Sequence, residues 1–440
     1  MTRARLFFLV HSCTGVTAGL VLFVICWSGT FTVFAHELDW LVTPQARVQP
    51  GGDHAGWDAW LQAVREAEPE AQIMGLEAPR YMRSAATAFI TDARGQSRFV
   101  YIDPYRARVL GDTSTYTLHR FLRNLHMSFF MGSPGIYVVS VFALFLLLSM
   151  VSALYFYRRW WRRFLFLPRG RGHAYWSGLH RTTGLWSLLF VLLIGLTSVW
   201  YGVELLRMDV IDGKFSHAGT GDSAVRQVPA PAAASAASAA ALPLPTLLEK
   251  ARAARPDLAI RQLGFGFYHE GALYLEGQAG HLLVRDRANQ LHLDMQTGEV
   301  LYDQSAGRLP LYWRWSETAD PLHFGDFAGL WSKSLWFLFG IMLCGLILTG
   351  AWLHAGRLRR NAGQRYRWRV MPAALAASAG LFALAAYAGI EQAAVYGYTE
   401  DGVQRLPELS PGVRWAMVTW LSLTLAIIGG WLWLLGRTRA

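Results

Sequence analysis

The stretch "LHRTTGLWSLLFVLLIGLTSVWYG" (residues 179–202) decides how this chain is read. From Thr182 to Gly202 it carries no charge and is long enough to cross a bilayer as a helix. Yet it opens on a histidine, with a glycine one helical turn later. An imidazole among apolar side chains must find a partner or cost free energy, so His180 is either tied down or in use.

Five further stretches are comparably apolar. The six spans run near Phe7–Ala35, Gly135–Tyr157, Ser177–Gly202, Lys333–Ala355, Met371–Gly389 and Val413–Gly436. With 53% of its 440 residues hydrophobic and only 16% charged, the whole chain has the composition of a membrane protein. Arg3 and Arg5, "RRWWRRFLFLPRGR" (158–171), "RLRRNAGQRYRWR" (357–369) and Arg437 with Arg439 hold 16 arginines and no acid. Every second connection is thus positive, which places both termini and those loops in the cytoplasm. Elsewhere 25 basic residues face 30 acidic ones, so the formal +11 lies on the cytoplasmic rim and describes no nucleic-acid surface. Val33-Phe34-Ala35 is a passable signal-peptidase site, but the apolar run before it is too long for a signal core, so it is read as a helix. Cys13, Cys26 and Cys344 all lie inside spans, which leaves the exported loops without a disulfide.

The chain is written twice. "HSCTGVTAGL" from His11 matches "HRTTGLWSLL" from His180, aligning Thr14 with Thr183, Gly15 with Gly184 and, further on, Glu37 with Glu204. After each of these spans comes an amphipathic helix, a strand and alternating strands: a hairpin across Arg94-Gly95 in the first copy, and one across Gly277–Gly280 in the second. Each α+β module is small enough to be marginal alone and is expected to be held by its flanking helices. The halves agree again at "NLHMSFFMG" and "DPLHFGDFAG", where His126 matches His323 and a glycine follows six residues later. The fold class is therefore mostly α: a six-helix polytopic bundle with two α+β modules inserted in an internal repeat. TM1 takes 1–36, module one 37–134, TM2 135–157, a basic loop 158–176, TM3 177–202, module two 203–332 with an Ala/Pro linker at 228–245, and TM4 333–355. TM5 (371–389) and TM6 (413–436) follow without a histidine.

His11 and His180, at matching positions, fall at one depth on the cytoplasmic side; His126 and His323 form a second pair on the exported side. Gly15 and Gly184 share the face of their histidines and leave the backbone bare, as a flat macrocycle lying against the helix requires. His354, His36 and His119 rank second, because they lack a counterpart in the other half. Zinc asks for four donors, or three and water, and no H-E-x-x-H accompanies these residues. Two axial imidazoles per metal suit a b-type haem, so two bis-histidine haems are expected. With no C-x-x-C-H and no nucleotide fingerprint, the haems would be non-covalent and the electron donor external.

The order of H-x-x-x-G span, exported module, "LHRTTGLW" span, second module and "DPLHFGDFAGLWSKSLWFLFG" resembles the PepSY-associated transmembrane family over about residues 5–357. These are iron-regulated bacterial inner-membrane proteins that include ferrisiderophore reductases of the FoxB type. The resemblance implies PepSY-like periplasmic modules, haem b, and reduction of a ferric siderophore or other iron chelate at the periplasmic face. A cytoplasmic or quinol donor would supply the electrons, and the lipid bilayer would be the other partner. His11, His126, His180 and His323 match the family's recurrent histidines. The stretch "LYWRW" (311–315) is expected to anchor at the interface, or else to line the chelate's approach. Two other classes compete: a transporter of iron or its chelate, and a regulatory membrane protein whose modules bind a partner.

Overall fold

The computed structural model describes residues 2–165, 168–211, 231, 241–360 and 370–437. The arginine-rich loop 361–369, Arg439 and nearly all of the Ala/Pro linker therefore lie outside the described residues. Thirteen helices are described. They are α1 (Arg3–Thr17), α2 (Gly19–Thr32), α3 (Ala35–Val42), α4 (Trp57–Ala67), α5 (Leu118–Ser128), α6 (Gly132–Phe156) and α7 (Gly172–Trp186). Then come α8 (Leu188–Ile211), α9 (Leu244–Ala254), α10 (Leu311–Phe324), α11 (Leu330–Arg360), α12 (Val370–Val395) and α13 (Pro411–Arg437). Among the described residues α6, α8, α11, α12 and α13 are long and apolar enough to cross a membrane, and α1 with α2 makes a sixth if that bent pair is one span.

The first and third apolar runs are not the continuous helices expected at Phe7–Ala35 and Ser177–Gly202. The first bends by 67° between α1 and α2, and the third breaks at Ser187 between α7 and α8. Each break falls two turns after its histidine, at Ala18 and Ser187. Local chemistry explains the first. Thr17 turns its hydroxyl back onto the Cys13 carbonyl at 2.9 Å, and glycines flank the joint at Gly15 and Gly19. The third helix also runs on past Gly202, to Ile211.

The two modules form one sheet. Strands β1 (Gln72–Glu77), β2 (Ala86–Thr91), β3 (Ser97–Asp103) and β4 (Arg108–Ser114) belong to the first, and β5 (Ala259–Phe265), β6 (Ala272–Gln278), β7 (Gln290–Asp294) and β8 (Val300–Gln304) to the second. Their order is β4-β3-β2-β1-β5-β6-β7-β8, antiparallel throughout, with Leu76 opposite Leu263 at the seam. Helices α4 and α9 share one core over that seam: Trp60, Leu61 and Val64 join Leu247, Leu248 and Ala251 above Leu76, Leu263 and Leu275. Each module thus covers the other's exposed edge, a remedy stronger than the flanking helices the sequence suggested. The hairpin expected across Gly277–Gly280 is also corrected. Strand β6 pairs with β7 across residues 279–289, and "LHLD" rather than "HLLVRD" supplies the partner strand. The expected hairpin at Arg94-Gly95 is the β2–β3 connection.

Below the sheet, α5 ends at Phe129 and Phe130, both in the left-handed region (φ 49° and 63°), and the chain reverses into α6. Helix α10 reverses likewise at Gly325 (φ 69°) before α11. These turns bring the ends of α5 and α10 down among the long helices. Helices α12 and α13 pack on the outside, where Trp27 donates to the Thr424 hydroxyl at 2.9 Å and Trp431 to the Leu348 carbonyl at 3.1 Å. A short hairpin, β9 (Tyr398–Glu400) with β10 (Val403–Arg405), joins them.

Candidate functional site: two histidine pairs

The four repeat-matched histidines meet in twos. The rings of His11 on α1 and His180 on α7 have centroids 6.4 Å apart; those of His126 on α5 and His323 on α10 are 5.9 Å apart. The reversal after α5 is what brings His126 into the bundle, where it touches α2.

All four imidazoles are oriented through the same nitrogen. His126 Nδ1 lies 2.8 Å from the Ile25 carbonyl and His11 Nδ1 2.9 Å from the Ser149 carbonyl, with the Ser149 hydroxyl at 3.0 Å. A carbonyl can only accept, so each Nδ1 carries the proton. His323 Nδ1 lies 2.8 Å from the Thr197 hydroxyl, whose own proton goes to the Leu193 carbonyl. His180 Nδ1 lies 3.1 Å from the Thr349 hydroxyl, which donates to the Gly345 carbonyl. In every case Nδ1–H is the donor, and Nε2 keeps its lone pair with no hydrogen bond among the described residues. That tautomer, fixed from the far side of the ring, is the one a metal-ligating histidine adopts.

Each pair lines a cavity. His11, His180, Gly15, Gly184 and Gly350 line a cavity of about 180 Å³, and His126, His323 and Gly29 line one of about 60 Å³. Leu22, Leu146 and Leu343 border both cavities and separate them. Gly15 and Gly184 stand as expected on the cavity wall: a Cβ on the first would meet nothing within 4 Å, and on the second only Leu346 at 3.8 Å. Gly29 and Gly350 are different. A Cβ at Gly29 would fall 2.5 Å from His126 Cε1, and one at Gly350 3.1 Å from His180 Cε1. These two glycines make room for the rings themselves.

The second-ranked histidines lie elsewhere. His354 is buried on α11 and is not among the residues lining either cavity. His36 and His119 form a third close pair, 4.2 Å between centroids, facing a separate space beneath the sheet. The stretch "LYWRW" packs α10 onto α8. Trp313 is buried, Tyr312 lies 5.1 Å from Trp200, and Arg314 donates to the Ala306 carbonyl at 2.7 Å. It lines none of these cavities. Sequence reasoning missed Gly29, Gly350, Thr197, Thr349 and the Ile25 and Ser149 carbonyls. The signal for the threonines was available, since polar residues inside apolar helices ask for a reason.

Fold and site together define a mostly helical multi-pass membrane protein with one antiparallel sheet region and paired histidines among its helices. The chain belongs to the PepSY-associated TM region family, whose model matches residues 8–357. It is also similar to an uncharacterised protein of Pseudomonas aeruginosa, 26% identical over 257 residues. That match takes in 56% of this chain and 65% of the relative, so the chain spans just under two thirds of the relative's length.

Proposed function

We propose that the protein is a di-haem reductase of the bacterial inner membrane. It would cross the bilayer six times, with both termini in the cytoplasm and the joined modules, as PepSY-like domains, in the periplasm. Electrons from a cytoplasmic or quinol donor would reduce a ferric siderophore or related chelate in the periplasm, one electron for each iron(III). Iron(II), held less tightly by hard oxygen donors, is then released.

The observation that carries this reading is the spacing and orientation of the histidine pairs. Two imidazoles whose Nε2 atoms make no hydrogen bond, brought close together in one cavity, would be able to hold a haem iron between them. The ring centres stand 6.4 and 5.9 Å apart, and each Nε2 makes no hydrogen bond among the described residues, which supports the reading. His11 with His180 would hold one haem b, and His126 with His323 the other. Bound there, haem supplies a one-electron iron(III)/iron(II) couple. The chain's residues do the rest: Ser149, Ile25, Thr349 and Thr197 fix the rings, Gly15 and Gly184 leave flat backbone, and the shared leucines exclude water between the two positions. Purified protein should show a strong Soret band that sharpens and shifts with dithionite, and the His180→Ala and His323→Ala variants should each lose about half of it. A colourless protein, or unchanged haem content in both variants, refutes the reading.

Transport of iron or its chelate is the second reading, and the paired breaks at Ala18 and Ser187 favour it, because transporters often build sites at interrupted helices. Against it, the cavities at these breaks are lined by imidazoles and apolar groups, with Arg181 the only ordinarily charged side chain. Uptake of radioactive iron into vesicles without any reductant would decide for transport.

A further inference from the structure

A third cavity, of about 1240 Å³, opens between the sheet and helices α3, α5 and α11. Among its lining residues are His36, Asp39, Arg80, Tyr81, His119 and Arg123. The carboxylates there are engaged except at Glu37 Oε2, which is buried without a hydrogen-bond partner among the described residues. Glu37 binds Lys333 at 2.7 Å and Tyr81 at 2.6 Å, Glu77 pairs with Arg80 at 3.1 Å, and Asp39 accepts the His119 backbone N–H at 3.3 Å. Arg123 makes no hydrogen bond or ion pair among the described residues. Loss of water around it pushes its guanidinium pKa below the ordinary value. Asp320 of the other half supplies the largest attraction it feels, but the two form no ion pair among the described residues, so the enclosed charge stays costly until an opposite charge makes contact.

The other half of the molecule shows what a completed version looks like. Aligning His126 with His323 sets Arg123 against Asp320, Arg120 against Glu317 and His119 against Ser316. There every charge is matched: Arg285 bridges Glu317 and Asp320 at 2.7 Å each, Arg287 reaches Glu317 at 3.3 Å, and Tyr201 donates to Asp320 at 2.5 Å. The first half keeps the guanidinium facing the cavity, with no carboxylate in ion-pair contact among the described residues. On α5 the residues His119, Arg123 and His126 follow at i, i+4 and i+7, a single stripe leading from this cavity to the nearer histidine pair.

We propose that this cavity binds a small oxyanionic ligand, and that the ligand is a ferric chelate with surplus carboxylate charge, anchored on Arg123 with Arg80 assisting. The iron in this assignment rests on the reductase reading; the charge does not. A guanidinium fork takes a carboxylate through two parallel charged hydrogen bonds, so neutral chelates, which offer only uncharged acceptors, should bind more weakly.

The test uses the full-length protein in detergent and redox-inert gallium(III) complexes, followed by titration calorimetry. Gallium citrate should bind, Arg123→Gln should weaken it by about tenfold or more, and Arg123→Lys should recover part of the loss. Arg80→Gln, which leaves α5 untouched, should weaken it several-fold, and the haem-to-protein ratio should stay constant in all three variants. Equal affinity in wild type and both glutamine variants overturns the proposal, as does equally tight binding of a neutral gallium tris-hydroxamate. Metal-free citrate binding as tightly as its gallium complex overturns the chelate assignment. Gallium citrate binding that depends on Arg123, without any iron reduction, sinks the reductase reading and leaves this site standing.

Discussion

Replacing Gly29 by alanine tests the histidine geometry at its tightest point. The new Cβ would stand 2.5 Å from His126 Cε1 and 2.7 Å from Nδ1, where carbon contacts relax only at about 3.5–4.0 Å. The ring must retreat by about 1 Å or more. Its Nδ1 now lies 2.8 Å from the Ile25 carbonyl on the same helix, and that retreat stretches the bond beyond useful range. Overpacking costs about 1–3 kcal/mol, and a lost orienting hydrogen bond typically weakens a metal site by about 10–100-fold. Gly29→Ala should therefore lose close to half of the haem per protein, measured as the pyridine haemochrome, while the other half stays reducible. The control is Gly345→Ala on α11, where a Cβ meets nothing within 4 Å and pigment should be retained. Full haem content in Gly29→Ala, or equal loss in Gly345→Ala, would show that His126 is not a ligand held in this pose.

Two further predictions come from single side chains. Thr197→Val removes the acceptor for His323 Nδ1–H, so one of two haem signals should dissociate about tenfold faster in a transfer assay to apomyoglobin; an unchanged rate discounts the hydroxyl's role. Burial raises the Glu276 carboxyl from 4.5 to about 7, which means the folded state holds that proton more tightly than the unfolded chain. The resulting stability is complete below about pH 4.5 and is lost as pH rises to about 7, by at most about 3 kcal/mol. Thermal unfolding between pH 4.5 and 7.5 should show this slope in wild type and a flatter one in Glu276→Gln.

The sequence made the repeat, the apolar spans and the four histidines legible because each leaves a local mark: a period, a run of apolar residues, or a polar residue out of place. The pairing of His11 with His180 and of His126 with His323 could be expected because matched positions in parallel repeats share a depth. The bends at Ala18 and Ser187 were hidden, since an apolar run stays apolar through a change of helix direction. The β1–β5 seam was hidden for another reason. Alternation in "QIMGLE" shows that a strand has two faces, but not which distant strand its edge will meet. The Arg123 cavity was also out of reach, because an arginine without a partner is recognisable only once the surrounding carboxylates have been placed.

The seam through Leu76 and Leu263 has a consequence for how such a chain can change over time. Two separate copies joined by that sheet would form an isologous dimer, in which any substitution on one side of the axis is forced on the other. One continuous polypeptide is released from that obligation. It can turn Arg123 toward a cavity in one half and set Asp320 in an ion cluster with Arg285 in the other, so a symmetric frame acquires a direction.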